Sequence, residues 1–179
     1  MAGPVALPTL DDLGLSAADR HRRAGYRAKT KVYRLAGWDM RIERDGFTGQ
    51  VRCRLFAAAG WGRGRMAYAH GVVGFHLGAD QDVAGAWYGV DDKAVRPWRN
   101  DYPDLIAHRV PLDGGSLANP TGGVVLIPIE RLAGASTVTI RADRQSKPKR
   151  FRLEGFEQAL AAARANGCSD GAAFAQERW

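Results

Sequence analysis

Alternation of apolar and polar residues with a period of two is the feature that most limits what this chain can fold into. Apolar side chains alternate with charged ones in Trp38–Glu43, Asp45-Gly46 supplies a turn, and Val51–Leu55 alternates again. This pattern predicts an antiparallel hairpin with one face in the core and one polar face. Cys53 lies in phase with the apolar positions of the second run, so we expect its side chain to point inward.

The rest of the chain continues with short apolar runs separated by turns about every ten residues. The predicted strands are Met66–Leu77 with a bulge or bend at Gly71 and Gly74, Ala84–Val90, Lys93–Trp98, Leu105–Val110, Val124–Ile129, Ser136–Arg141 and Phe151–Leu153. The predicted connections are a hairpin turn at Val90-Asp91-Asp92, a loop at Arg99–Pro103, a turn at Asp113–Ser116, one helical turn at Pro128–Leu132 and a basic turn at Lys147–Lys149.

One amphipathic helix is predicted near the end of the chain. Its apolar stripe consists of Phe156, Ala159, Leu160 and Ala163. Asn166-Gly167 ends the pattern, which places the helix over 156–167 and Cys168 just beyond it. Eight to ten short strands and one such helix favour a mainly β fold, an antiparallel β-sandwich or barrel with the C-terminal helix packed on it. The βαβ alternation of a nucleotide-binding sheet is missing.

The chain of 179 residues fits one domain. Residues 1–29 differ from the rest: Pro4 and Pro8 favour an extended start, and Ser16 is placed to cap a short helix over 17–23. With few apolar positions, this segment is predicted to be an N-terminal arm or a peripheral helix. Residues 30–179 form the single β-rich domain and its tail.

The charge balance indicates which partners the chain attracts. Its 26 basic and 19 acidic residues give a net charge of +7, which attracts nucleic acid, acidic polysaccharide or an anionic lipid surface. Arginine supplies 21 of the basic residues, a bias that fits either a GC-rich genome or bidentate contacts with anions. Charge alone therefore indicates a class of partner and no particular ligand.

No catalytic residue, metal site or cofactor is predicted. His70 and His76 lie six residues apart on a predicted strand, about 20 Å from each other and too far to share a metal. The glycine-rich stretch at 60–64 lacks the spacing of a phosphate-binding loop. Paired carboxylates occur where turns favour aspartate, at Asp11-Asp12, Asp91-Asp92 and Asp101 with Asp104. A hydrolase acting on acidic glycan or peptidoglycan would need a cleft that gathers such carboxylates.

Basic and aromatic residues are interleaved in three groups. The first contains Trp61, Arg63 and Arg65, the second Arg96, Trp98, Arg99 and Tyr102, and the third Arg141, Arg144, Lys147, Lys149, Arg150 and Arg152. Aromatic rings beside arginines suit single strands, sugars or acidic ligands. The first two groups contain the aromatic residues and form the candidate ligand surface. Alternatively, the aromatics are lids of the core and the charges are a solvated face.

Two cysteines, Cys53 and Cys168, fit either two buried thiols or one bridge that closes a loop of more than a hundred residues. A bridge requires an oxidising compartment. The chain contains no run of 18 apolar residues, so no transmembrane helix is predicted. The first fourteen residues lack the basic and apolar regions of a signal peptide, which fits either an intact start or a start from which a leader was removed.

The closing segment resembles that of invasion-associated locus B-like proteins, which are small secreted or periplasmic bacterial proteins. The resemblance rests on Ile127–Ile140, where a helical turn precedes a strand, and on Leu153–Leu160, where L-x-G-F-x-x-A-L opens the last helix. Trp38-Asp-Met40, leading to a cysteine-bearing strand, is also similar. The further mid-chain cysteines of that family are absent from this chain.

The resemblance implies a periplasmic β-sandwich without enzymatic activity and with a role at the envelope or in host interaction. It carries over no catalytic residue, and it favours a bridge between Cys53 and Cys168. We therefore expect a periplasmic or secreted, non-catalytic protein that binds an anionic envelope component or another protein through a basic, aromatic surface. The alternatives are the hydrolase described above and a cytoplasmic nucleic-acid-binding β-barrel.

Overall fold

The predicted period of two is realised in antiparallel strands. The computed structural model describes residues 18–20, 29–46, 49–58, 65–112 and 116–168. The strands are β1 (Ala18–Arg20), β2 (Lys29–Leu35), β3 (Trp38–Arg44), β4 (Val51–Ala57), β5 (Met66–Ala69), β6 (Val72–His76), β7 (Trp87–Val90), β8 (Arg96–Pro97), β9 (Val124–Pro128), β10 (Thr137–Arg141) and β11 (Lys149–Arg152). The helices are α1 (Tyr102–Ala107) and α2 (Phe156–Ala165), and short 3₁₀ turns cover Trp98–Asp101 and Ile129–Arg131.

The strands form two sheets. The first has the order β1-β2-β3-β4-β5-β6-β9, and the second has the order β11-β10-β7-β8. Both sheets contribute to one hydrophobic core, in which Phe75 of β6 contacts Phe151 of β11 edge to face, with the ring centroids 5.2 Å apart. The predicted mainly β fold is confirmed, and the described strands form two separate sheets rather than one closed barrel.

The predicted hairpin around Asp45 is confirmed. Strands β3 and β4 pair antiparallel with Ile42 opposite Cys53, and the cysteine is 7% exposed. The turns at Val90-Asp91-Asp92 and the strands at 124–128 and 137–141 also lie where the pattern predicted them. Alternation therefore predicted β3, β4 and β10, whose apolar phase is buried, whereas a continuous apolar run predicted β9, which is buried at every position.

The prediction of one bent strand over Met66–Leu77 is wrong. The segment folds back as the hairpin β5-β6 through a two-residue turn at His70 and Gly71, whose φ values are 50° and 81°. Positive φ at both turn residues matches the twist of the paired strands. His70 is consequently buried at the turn and His76 ends the second strand, so the two histidines do not share one strand.

The loop predicted at Arg99–Pro103 and the strand predicted at Leu105–Val110 are also wrong. A 3₁₀ turn leads there directly into helix α1. Pro103 lies in the first turn of this helix, where the missing N–H costs no hydrogen bond. Leu105 is the only buried residue of α1, and Ile106 is 63% exposed. The neighbouring apolar residues Leu105 and Ile106 thus resembled part of a strand in the sequence, although only Leu105 enters the core.

The N-terminal helix predicted over 17–23 is replaced at Ala18–Arg20 by strand β1. It pairs antiparallel with β2, with Asp19 opposite Lys31. The free edge of β2 supplies hydrogen bonds that a short helix with little apolar surface lacks. Lys29, the last residue of the proposed N-terminal arm, begins β2, and the other residues of the arm lie outside the described ranges, as does most of the turn at Asp113–Ser116.

Helix α2 covers the first sheet, and its apolar stripe is buried as predicted. The Phe156 ring packs against Trp38 and Tyr68, with centroid distances of 5.0 and 5.8 Å. Gly155 precedes the helix with φ 77°, and a Cβ there would lie 2.1 Å from the carbonyl oxygen of Ala36. Only glycine allows this approach. In the described part of the chain, neither helix has the length and apolar character needed to cross a bilayer.

The far end of α2 is fixed by a disulfide between Cys53 and Cys168, whose Cα atoms lie 5.6 Å apart. The bond joins a central strand of the first sheet to the residue after the helix, as the family resemblance implied. It closes a loop with a sequence separation of 115 residues. Because a long loop loses much of its entropy when it is closed, the bond stabilises the fold mainly by restricting the unfolded chain.

We predict that the double substitution Cys53→Ser with Cys168→Ser lowers the free energy of unfolding by about 4–5 kcal/mol, the chain-entropy value for a loop of this length. Urea unfolding of the oxidised protein and of the variant measures the difference. The reduced wild-type protein is the matched control and should unfold with the variant. An unchanged urea midpoint after reduction contradicts this account of the disulfide.

Candidate functional site

The outer face of the second sheet is the candidate site. On β7, β10 and β11, five residues point into the core and are buried: Tyr88, Val90, Val138, Ile140 and Phe151. Because side chains alternate across a sheet, the residues between them point outward. We name the outward surface the basic face and define it by Trp87, Val95, Thr139, Arg141, Arg144, Pro148, Arg150 and Arg152.

Strand register places the tryptophan among the arginines. Trp87 lies directly opposite Arg141, and Thr139 lies directly opposite Arg150. Neighbouring strands are about 4.8 Å apart, so the indole and the arginine side chains occupy one continuous surface. Trp87 is 39% exposed, unlike the fully buried Trp38 and Trp98. The indole is therefore available to a ligand.

A shallow depression of about 310 Å³ lies on the basic face. It is lined by Trp87, Val95, Thr139, Arg141, Arg144 and Pro148. Val95 is 65% exposed and lies over Gly89, with its Cγ1 atom 3.1 Å from the position that a Cβ would take. The lining thus combines an aromatic ring and apolar carbon with two guanidinium groups.

Within the described ranges, the charge of the arginines on the basic face is only partly compensated, by the electrostatic interaction of Asp143 with Arg141. Among the residues that the structure describes, none forms a hydrogen bond or an ion pair with the side chains of Arg141, Arg144, Arg150 or Arg152. Guanidinium groups on one face attract anions and bind carboxylates, sulfates and phosphates in a bidentate manner. The surface therefore carries a charge that attracts anions.

The nearby carboxylate of Asp143 holds the turn that presents Arg144. Its oxygens accept hydrogen bonds from Ser146 Oγ at 2.7 Å and from the backbone N–H groups of Gln145 and Ser146 at 2.6 and 2.7 Å. The Ser146 hydroxyl, these backbone groups and the charge of Arg141 hold the pKa of Asp143 below its ordinary value. Asp143 therefore shapes the end of the basic face.

The residues predicted from the first basic and aromatic group are only partly described. Arg65 is exposed immediately before β5 on the first sheet. Trp61 and Arg63 lie outside the described residues. Arg65 thus lies on the first sheet, apart from the basic face of the second sheet.

The second predicted group is divided between the core and the surface. Trp98 is fully buried, and its Nε1–H donates to the carbonyl oxygen of Leu126 at 2.6 Å, so its prediction as a ligand-surface residue is wrong. Tyr102 is half-buried and packs edge to face on Trp98 at 5.1 Å. Arg99 is exposed. Trp98 and Arg99 are neighbours in the sequence, but Trp98 enters the core and Arg99 stays at the surface.

Arg96, the remaining member of that group, belongs to a buried ion-pair network. Its Nη2 atom lies 2.9 Å from Oδ1 of Asp101, which is fully buried, and Nε of Arg131 lies 3.3 Å from the same oxygen. The Tyr88 hydroxyl donates to Oδ2 of Asp101. Burial, followed by the hydrogen bond and the charge of Asp101, raises the pKa of Tyr88. Tyr88 is therefore a neutral donor over the usual pH range.

The same network includes Asp101 and Asp104, a carboxylate pair that the sequence offers as a candidate for acid and base chemistry. Arg131 Nη2 lies 3.0 Å from Oδ2 of Asp104 and so bridges Asp104 to Asp101. These carboxylates are ion-paired structural groups. In the described ranges, no three histidine, cysteine, aspartate or glutamate residues are grouped so that they could hold a metal ion.

No protein-family model, curated protein or solved structure matches this chain. The chemistry of the basic face is therefore the basis of the proposed function.

Trp87 is not among the site residues predicted from the sequence, although a signal for its outward position is present there. The predicted strand Ala84–Val90 contains Tyr88 and Val90 in one phase and Trp87 in the other. If the first phase is buried, Trp87 must be outward. The third basic group was visible in the sequence, but its position beside Trp87 depends on the pairing of β7 with β10.

We predict that Asp101→Asn lowers the free energy of unfolding by about 3 kcal/mol. The substitution removes the charge that compensates Arg96 and Arg131, and the loss falls at the low end for buried pairs because both arginines reach solvent. Denaturant unfolding measures it. The matched control is Asp39→Asn, which breaks the exposed pair with Arg34 and should cost less than about 1 kcal/mol. Equal losses in the two variants contradict a special role for Asp101.

We also predict that the contribution of Asp143 to stability is pH-dependent. Its lowered pKa means that folding is favoured by the ionised carboxylate, so the contribution is present above the pKa of the unfolded chain and is lost as the pH falls through the lower pKa of the folded protein. Asp143→Asn should have a lower Tm than the wild type near pH 7, and the two Tm values should converge near pH 2. A Tm difference that is constant with pH contradicts this prediction.

Proposed function

We propose that this protein is an exported, non-catalytic envelope protein that binds an acidic polysaccharide through the basic face. The observation that carries the proposal is the exposed indole of Trp87 beside Arg141, on a sheet face whose arginines form no hydrogen bond or ion pair with the described residues. The proposed surface is again basic and aromatic. Its residues come from the third basic group and Trp87 instead of the first two groups.

The chemistry of the surface fits a chain of charged sugars. An aromatic ring offers a flat apolar surface on which the C–H face of a sugar packs, and the planar guanidinium group pairs with a carboxylate or a sulfate in a bidentate manner. The arginines lie on both β10 and β11, so they form a band rather than a single point of charge. A band of charge next to a ring suits an extended anionic polymer better than a small ion.

The disulfide supports an oxidising compartment, because such bonds form and persist in the periplasm and outside the cell and are rare in the cytosol. The resemblance of the closing segment to invasion-associated locus B-like proteins agrees with the same compartment, and membership of that family is part of this proposal. In such a compartment, an acidic glycan is a more available polyanion than nucleic acid. For this reason the proposal names a glycan as the ligand.

The experiment is titration with an oligogalacturonate, an acidic glycan, at several salt concentrations between about 50 and 200 mM. We predict that Arg150→Ser with Arg152→Ser weakens binding and lowers the slope of log affinity against log salt by about two, because each arginine that leaves a contact removes about one unit. The matched control is Arg52→Ser with Arg99→Ser, which makes the same change in net charge with two exposed arginines outside the basic face. The control should retain the wild-type slope.

Trp87→Ala tests the stacking contribution separately. We predict a loss of affinity of about 5- to 100-fold, which is the range for removal of a stacking ring, with the salt slope unchanged. The variant is compared with the wild type by the same titration and by its Tm. A salt slope that falls with Trp87→Ala, or an equal loss in the Arg52 and Arg99 control, contradicts the basic face as the binding surface.

Single-stranded DNA of equal charge is the competing ligand in this titration. If the DNA binds more tightly than the oligogalacturonate and this binding requires Trp87, the glycan proposal is overturned and the nucleic-acid hypothesis is favoured. Preference for the oligogalacturonate supports the proposed function.

A further inference from the structure

A second recess lies on the outer face of the first sheet, on the opposite side from helix α2. It has a volume of about 280 Å³. Its lining comprises Phe56 and Ala57 of β4, Met66, Ala67, Tyr68 and Ala69 of β5, Gly74 and His76 of β6, Val124 of β9, and the two arginines Arg54 and Arg65. We name this recess the first-sheet groove. It belongs to neither the basic face nor the buried network around Asp101.

The register of three strands explains why a groove forms here. Phe56 lies opposite Ala67, and Ala67 lies opposite Gly74. Across these neighbouring strands the outward group therefore decreases from a phenyl ring to a methyl group to hydrogen. Val124 of the next strand lines the recess beyond Gly74. Because Ala67 and Gly74 have little or no side chain, the floor of the groove consists of backbone and methyl groups. Glycine within a strand allows a ligand to approach the backbone closely.

Two arginines, Arg54 and Arg65, line the groove, and no carboxylate is among its lining residues in the described part of the chain. The carboxylate of Asp39, opposite Phe56 in the strand register, is ion-paired with Arg34. The guanidinium of Arg41 lies 5.7 Å from the centroid of the Phe56 ring. A ligand that fits this arrangement has an apolar body for the floor and a single negative group for Arg65.

The volume limits the size of the ligand. A recess of about 280 Å³ is close to the lower end of the range of ligand pockets, about 300–1,000 Å³, and therefore suits a small ligand. We infer that the first-sheet groove binds a medium-chain carboxylate, with its hydrocarbon chain along Phe56, Ala67 and Gly74 and its carboxylate at Arg65. This site lies on the other sheet and does not rest on the proposed glycan function, so either can fail without the other.

The experiment uses octanoate as the probe, titrated into the oxidised full-length protein and followed by calorimetry or by NMR. Octanol, which has the same chain without the charge, and octylammonium, which carries the opposite charge, are the matched ligands. We expect octanoate to bind about tenfold more tightly than octanol, with octylammonium weakest. Equal affinities for octanoate and octanol would overturn the assignment of the carboxylate to the arginine.

Two variants locate the site. Ala67→Leu fills the floor of the groove and is expected to weaken octanoate binding at least about tenfold. Arg65→Gln is expected to reduce the affinity for octanoate to that for octanol and to leave octanol unchanged. Ala165→Leu makes the same substitution at an exposed position at the end of α2 and should change neither affinity. Full octanoate binding by Ala67→Leu would overturn the inference.

A further substitution protects the test if Ala67→Leu unfolds the protein. Gly74→Ala adds a single methyl group to the floor and should weaken octanoate binding several-fold, and wild-type affinity in this variant counts against the groove. Trp87→Ala should bind octanoate as the wild type does. Loss of octanoate binding in Trp87→Ala would place the carboxylate on the basic face and overturn the second site.

Discussion

Burial of the Asp101 carboxylate is the constraint on which the placement of the second sheet depends. A charge inside a protein is tolerated only when it is paired and hydrogen-bonded. The partners come from separate parts of the chain: Tyr88 from β7, Arg96 from β8, and Arg131 from the 3₁₀ turn after β9. Because β9 is an edge strand of the first sheet, the network joins both sheets. The buried Trp98, whose N–H bonds to a β9 carbonyl, seals the same junction.

Once the inner side of the second sheet is fixed in this way, the character of its outer side follows from alternation. Every second side chain of β10 and β11 points inward, and the side chains that point outward are those of threonine and arginine. The first sheet has arginines on its outer face too, but they stand beside a recess rather than beside a projecting indole. The second sheet therefore offers a band of guanidinium groups beside a projecting ring, and the first sheet offers arginines beside a floor of small side chains. The proposed polymer suits the band of charge, and the proposed small molecule suits the recess with the small side chains.

The strand alternation and the helical periodicity of the sequence predicted those elements whose apolar phase is buried in the structure. The β3-β4 hairpin, the inward direction of Cys53 and the stripe of α2 depend on nearest neighbours in sequence, and they were predicted correctly. Helix α1 was missed because only Leu105 of its six residues enters the core, which leaves too short a stripe to distinguish a helix from a strand. The turn at His70 was missed because a histidine with positive φ is uncommon.

The composition of the basic face could not be predicted, for a different reason. Trp87 and Arg141 are neighbours only because β7 pairs with β10, and this register joins segments more than fifty residues apart. The sequence showed the arginines as one cluster and the tryptophan as part of another strand. Adjacency in sequence also misplaced Trp98, which follows Arg96 on the chain and enters the core instead. Sites assembled across strands require the pairing to be known first.

The disulfide also determines how the molecule responds to mechanical load. When the chain is pulled from its two ends, tension passes from β4 through the sulfur atoms of Cys53 to Cys168 and bypasses the loop between them. The strands and helices in that loop, including the basic face, carry no direct force while the bond is intact. Extension is limited to the residues before Cys53 and after Cys168. A ligand held on the second sheet would therefore stay bound to an unstrained surface while the ends of the chain are under tension.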